Sequence, residues 1–281
     1  MSSAGYMSLR GWNDMRYFDT HAHLADARFD DDRDELISSV LPASGVELIC
    51  EVACDLATAD KSLKIIREND YIFGAAGMHP HYADRMDNAG MELLRGLMAN
   101  EKLLAIGEIG LDYHYDFSPR EVQRRWFGEQ LFLAEELSLP VILHIREAMG
   151  DCMDILRAHK ASLLKNGGIM HCFSGSYESA KECIELGLAI GIGGSLTFKN
   201  ARKLIEVAEK VPLSSVVLET DCPYMTPVPH RGERNDPTFL PFVAAKLAEI
   251  KVLPVEEIVE TTFANGCRVL RVPSTAAALA E

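Results

Sequence analysis

Pro140-Val141-Ile142-Leu143-His144 offers no polar side chain to a solvent face until its last residue. A strand so continuously apolar is buried on both faces, which is the situation of a parallel sheet covered by helices. Val216-Val217-Leu218 reads the same way. Working outward from these runs, strands are predicted at Arg16–Thr20, Val46–Ala53, Tyr71–Met78, Leu103–Glu108, Pro140–His144, Gly168–His171, Leu188–Ile192 and Ser215–Glu219.

The segments between them carry helical periodicity. Ala201, Leu204, Ile205 and Ala208 form one apolar stripe, and Phe127, Leu131 and Ala134 repeat it in the longest helix, which Ser118-Pro119 opens as N-cap and first residue. Eight strands alternating with helices suit an α/β TIM (β/α)8 barrel, which needs about 250 residues. A doubly wound open sheet is the alternative. No low-complexity linker interrupts Arg16–Val272. The expected organisation is a flexible lead-in over 1–14, with Met15 as an alternative start, one barrel domain over 15–272 and a frayed tail over 273–281.

Composition narrows the function. The 281 residues carry a net charge of −14, from 28 basic and 42 acidic side chains. A protein that wraps nucleic acid over many phosphates presents a basic face, so any nucleic-acid substrate here must be gripped locally. No apolar run approaches the roughly 18 residues of a membrane span, and the first fourteen residues lack the basic n-region and apolar h-region expected of a signal peptide. The seven cysteines (Cys50, Cys54, Cys152, Cys172, Cys183, Cys222 and Cys267) are odd in number and lack C-x-x-C pairs. That pattern argues against a disulfide framework or a thiolate zinc site and points to buried thiols in a reducing cytoplasm.

The chemistry gathers at strand ends. In Phe18-Asp19-Thr20-His21-Ala22-His23 the two histidines are two apart, so on an extended strand they share a side and can bind one ion. Glu108 follows the apolar Leu103-Leu104-Ala105-Ile106, where a carboxylate is either paired with a cation or costly to bury. Its two oxygens allow it to bridge two ions. His144 and His171 each end an apolar strand, and Asp221 follows Val216-Val217-Leu218-Glu219-Thr220. Singly, each of these residues also fits a packed-core or turn role. Together, spaced by whole β/α units of roughly 30 residues, they converge on the C-terminal mouth of a barrel as a two-ion site. Gly191-Ile192-Gly193-Gly194 occupies the strand end without a ligand.

Glu219, two before Asp221, and Asp19 are assigned to support the ligands. His79 is expected as a proton donor or substrate contact, with His81 beside it and Arg146 presenting its fork to a phosphate oxygen. Tyr113, His114, Lys199 and Arg231 are candidates for the rim. Cys172 and Cys222, each following a ligand, should face the helices, and His159 the surface.

These residues sit in six motifs: FDTHAHL at 18–24, GMHPHYA at 77–83, GEIGLDYH at 107–114, PVILHIREA at 140–148, MHCFSGS at 170–176 and LETDCPYMTP at 218–227. In order and spacing the chain resembles the TatD family of metal-dependent hydrolases, from about Met15 to Val272. The resemblance implies a TIM-like barrel with divalent ions (Mg, Mn or Zn). It implies His21, His23, Glu108 and Asp221 around one ion, and Glu108, His144 and His171 around a second. It further implies a deoxyribonuclease acting 3′→5′ on single-stranded DNA. From the sequence itself no membrane association is expected, and no obligate protein partner is inferred. Asp221, Glu108 and His79 would then be catalytic, Asp221 as general base towards an activated water. The alternative is a hydrolase of a small amide, lactone or phosphoester on the same barrel.

Overall fold

The computed structural model describes residue 11 and residues 14–273. Most of the expected lead-in and tail lies outside the described residues. The strands are β1 (Tyr17–Ala22), β2 (Val46–Ala53), β3 (Ile72–Ala76), β4 (Leu103–Asp112), β5 (Val141–Arg146), β6 (Gly168–Met170), β7 (Leu188–Ile192) and β8 (Val216–Leu218). They form one eight-stranded sheet in sequence order, every neighbouring pair parallel. Helices cover its outside, and the TIM-barrel expectation holds.

The two faces of the sheet separate into two apolar clusters. One contains Phe18, Leu48, Cys50, Val52, Phe73, Ala75, Leu104, Ala105, Ile142, Ile169, Ala189 and Val217. Because all eight strands contribute and these side chains touch one another, this cluster is the barrel interior. Phe263, Val269 and Leu270 of helix Val255–Leu270 complete it, Phe263 with its ring 6.2 Å from that of Phe18. The other cluster packs Ile49, Ile72, Ile106, Leu143, Ile190 and Leu218 against the helices.

Closure runs through β1 and β8, which share an isolated parallel bridge, Ala22 to Cys222, instead of a ladder. Around it, Asp221 N donates to His21 O (2.9 Å) and His23 N to Cys222 O (2.9 Å). The carboxylate of Asp19 completes the seam. It accepts from Thr220 N (2.9 Å), from Thr220 Oγ1 (2.5 Å) and from His21 N (3.3 Å).

Several local expectations shift. β4 runs on to Asp112 and β5 to Arg146, so Glu108 and His144 lie within strands, while β6 and β8 stop before His171 and Glu219. The longest helix, Arg120–Leu137, takes Pro119 as its N-cap with no side-chain cap. Ser118 Oγ is spent elsewhere, donating to His81 O (3.1 Å) and accepting from Asp84 N (3.1 Å), which ties down the loop after β3. In helix Arg202–Lys210 the buried stripe is Leu204, Val207 and Ala208, with Ile205 only half-buried. The helix starts at Arg202, with Ala201 as its N-cap, and Val207 takes the place of Ile205 in the buried face.

Asp19→Ala should remove the three bonds of the seam and strand buried N–H groups. We expect a loss of about 3–5 kcal/mol in urea unfolding, and an unchanged midpoint would deny the seam its role.

Candidate active site

Side chains on a strand alternate, so the inward residues of each strand continue by twos towards its C-terminal end. From the apolar interior this gives Ile142 then His144, Ile169 then His171, Val217 then Glu219 and Asp221, and Ala75 then Gly77 and His79. β1 has a register irregularity between Asp19 and Ala22, which brings His21 and His23 to the same side as Phe18. The lining thus changes from dry apolar to histidine and carboxylate within one turn of the pleat.

Glu108 is the centre. It is 3% exposed. His144 Nδ1 lies 2.8 Å from its Oε1, with His171 Nε2 at 3.5 Å and His79 Nε2 at 3.6 Å. Its Oε2 faces His21 Nε2 (3.5 Å) and His23 Nε2 (3.8 Å). Asp221 Oδ1 closes the ring, 3.4 Å from His23 Nε2 and 3.9 Å from His171 Nε2. Burial works to raise the Glu108 carboxyl, but the histidines around it outweigh that and hold it well below the usual carboxylate range. Burial likewise acts to lower His171, and Glu219, Glu108 and Asp221 overcome it, lifting it to about 9.

The second nitrogen of each imidazole decides which atom is offered. His23 Nδ1 sits 2.9 Å from Val52 O, so it donates there and leaves the Nε2 lone pair free. His144 Nε2 meets Asp112 Oδ2 at 3.1 Å and leaves Nδ1 for the centre. His171 Nδ1 faces Glu219 Oε1 at 3.2 Å without hydrogen-bond geometry, and its Nε2 turns to the centre. His21 Nδ1 is buried without a partner. His21 Nε2 and His23 Nε2 stand 3.1 Å apart. That is the separation of two nitrogens sharing one ion at about 2.1 Å each. His79 differs. Its Nδ1 accepts from His81 N (3.1 Å), so a neutral ring carries its proton on Nε2, facing Glu108. A lone pair is not offered there, and His79 is suited to donate.

The donor set therefore fits divalent cations. His21, His23 and Glu108 lie close enough to hold one, and Glu108, His144 and His171 another. Nitrogen and carboxylate oxygen together suit zinc, manganese and related ions.

Behind the ligands, Glu219 is fully buried, accepts from Cys172 N (2.6 Å) and lies over Gly191, where a Cβ would come within 2.4 Å of its Oε2. The ligand-free glycine of β7 makes room for that carboxylate. Three residues were not foreseen. Asp112 holds both His144 and His81 (2.8 Å to His81 Nε2), and their hydrogen bonds outweigh burial to keep it strongly acidic. Cys54 lies 3.5 Å from Glu108 Oε2, with burial raising its thiol to about 11. The period of two from Cys50 and Val52 carries this signal. Glu51 is buried and accepts from Leu24 N, Ala25 N and Ser62 Oγ, fixing the turn after His23.

Some expected placements change. Cys172 does not face the helices: its φ of 42° breaks the alternation and brings its sulfur beside His171 and Asp221. Cys222 keeps the expected side, packed in the cluster that faces the helices, beside the β1–β8 bridge. His81 is held by Asp112, and Arg146 lies over the ring of Tyr115 (4.8 Å). Tyr113 bonds Asp151, His114 bonds Glu147, Arg231 bonds Thr226 O, and Lys199 is exposed. His159 is half-buried, with Glu135 3.7 Å away.

Gly191→Ala should push Glu219 off His171 and weaken metal retention about tenfold. Metal content after dialysis against a graded chelator reads this, and retention equal to wild type would contradict it.

Comparison with known proteins places these observations. The family model described as TatD related DNase matches residues 18–271. The metal-dependent hydrolase YabD of Bacillus subtilis is 43% identical over 255 residues, covering 91% of this chain and 99% of its own. The 3′-5′ ssDNA/RNA exonuclease TatD of Erwinia tasmaniensis is 34% identical, covering 89% and 98%. Among solved structures, the TatD homologue YjjV of Escherichia coli superposes with a TM-score of 0.86 at 32% identity, covering 92% and 99%.

Proposed function

The chain belongs to the TatD-related DNase family of metal-dependent hydrolases, and from that premise we propose that it is a 3′→5′ exonuclease on single-stranded DNA. One observation carries the reading: His23 and His144 are each anchored through one ring nitrogen and turn the other towards Glu108, with His171 Nε2 3.5 Å from the same carboxylate. Imidazoles so fixed are preorganised ligands.

His21, His23, Glu108 and Asp221 would hold one ion, and Glu108, His144 and His171 the second. Two such ions supply Lewis acidity to a phosphodiester and an activated water as nucleophile. The side chains contribute the rest. Asp221, held ionised by His171 and His23 against the effect of burial, is the general base. His79 presents its Nε2–H to the leaving oxygen. Arg146 meets a phosphate oxygen at the rim. A small cationic centre in an acidic protein favours a strand end over a wrapped duplex, and the activity carried by the Erwinia relative's name agrees with that substrate.

The test uses chelator-stripped protein titrated with Mg, Mn, Co and Zn against 3′- and 5′-labelled single-stranded DNA. The expected result is metal-restored stepwise loss from the 3′ end. Glu108→Ala should abolish it with the fold intact, and His79→Ala should lower kcat roughly a hundredfold. Hydrolysis of a lactone or simple phosphoester, with every nucleic acid left whole, would overturn the reading.

A further inference from the structure

After β4 the chain does not turn away from the mouth; residues 113–119 form a loop that carries two large aromatic rings to its rim. Tyr115 and Phe117 are 47% and 64% exposed, and their rings stack on each other, 5.2 Å between centroids and 16° from parallel. Burial does not explain them. Nor does chain flexibility, because the loop is tied down. Asp112 Oδ1 accepts from His114 N (3.0 Å) and Tyr115 N (2.9 Å), and Arg120 pairs with Asp116.

The pair is continuous with the site. His81 stands edge-on to both rings, 4.9 Å from Phe117 and 5.3 Å from Tyr115. Behind His81 come Asp112 and His144, and behind His144 comes Glu108. Asp112 therefore uses one oxygen to set the aromatic loop and the other to orient His81 and His144. Over Tyr115 lies the guanidinium of Arg146, which has no carboxylate partner among the described residues. An exposed aromatic stack, an arginine seated on it without a carboxylate partner and a mouth of candidate metal ligands form a set that matches a nucleotide: a flat base, a phosphate and a scissile bond. A lone apolar partner would not call for the arginine. A phosphate without a base would not call for the rings.

We propose that Tyr115 and Phe117, with Arg146, form a stacking platform for an unpaired nucleobase beside the phosphodiester that ions at Glu108 would hold. The proposal rests on the exonuclease reading and deepens it. A base stacks on a side chain only when it is free of its own strand partner, so the platform selects single strands through the base. It is indifferent to which base is present, since every base has a π-face.

The test compares metal-loaded enzyme on two single-stranded oligonucleotides, one ordinary and one with abasic residues at its 3′ end. Wild type should show a KM about tenfold lower for the ordinary strand. Phe117→Ala, at an exposed position, should shrink that ratio towards one, and Phe117→Trp should restore it. Tyr115→Ala should act in the same direction. A ratio unchanged by Phe117→Ala, or a loss equal on both strands, would overturn the platform while leaving the nuclease reading intact. If wild type cleaves neither strand, the nuclease reading falls and takes the platform with it. Sedimentation of both proteins provides the remaining check: a wild-type dimer dissociated by Phe117→Ala would assign the rings to a second copy and overturn the proposal.

Discussion

A buried carboxylate at the mouth of a closed barrel has no water to share its charge, so its surroundings must be built to compensate. Glu108 imposes that requirement on five strands. Histidines from β1 and β5 and from the segments after β1, β3 and β6 surround it, and Asp221 adds a second negative charge beside His23 and His171. The supporting residues follow from the same need. Val52 O and Asp112 each occupy the far nitrogen of one imidazole, so the near nitrogen is left as a lone pair, and Glu219 lies against the far side of His171.

Much of this was legible in the sequence because a parallel barrel repeats one simple rule. Apolar runs such as Val141-Ile142-Leu143 identify strands buried on both faces, and the polar residue that ends each run marks the mouth. His144 and His171 were readable on that ground, and Asp221 and Glu219 by the same period of two. Cys54 obeys the period as well. It was passed over because a thiol carries less metal signal than an imidazole when no second cysteine is near.

The residues that escaped reading are those whose role depends on a local break or on a distant partner. Cys172 departs from alternation through a left-handed backbone, which no neighbouring residue announces. Asp112 fell outside the expected strand Leu103–Glu108, because the length of β4 was underestimated by four residues. Its partners, His81 and His144, come from two other β/α units, and sequence spacing does not report such a convergence. Arg146 was expected to be free for phosphate, and its seat over Tyr115 became visible only with the loop in place.

The seam between β1 and β8 gives the barrel a property that its other joints lack. Elsewhere the circumference is held by ladders of backbone bonds, but here it rests on one bridge, a few loop contacts and the Asp19 clasp. His21 and His23 lie on one side of that join and Asp221 on the other. An ion held among them would be a cross-link in the circumference, absent from the unfolded chain. Its binding free energy would add to the stability of the closed ring by mass action. Loading of the site and closure of the barrel would in that sense be one equilibrium.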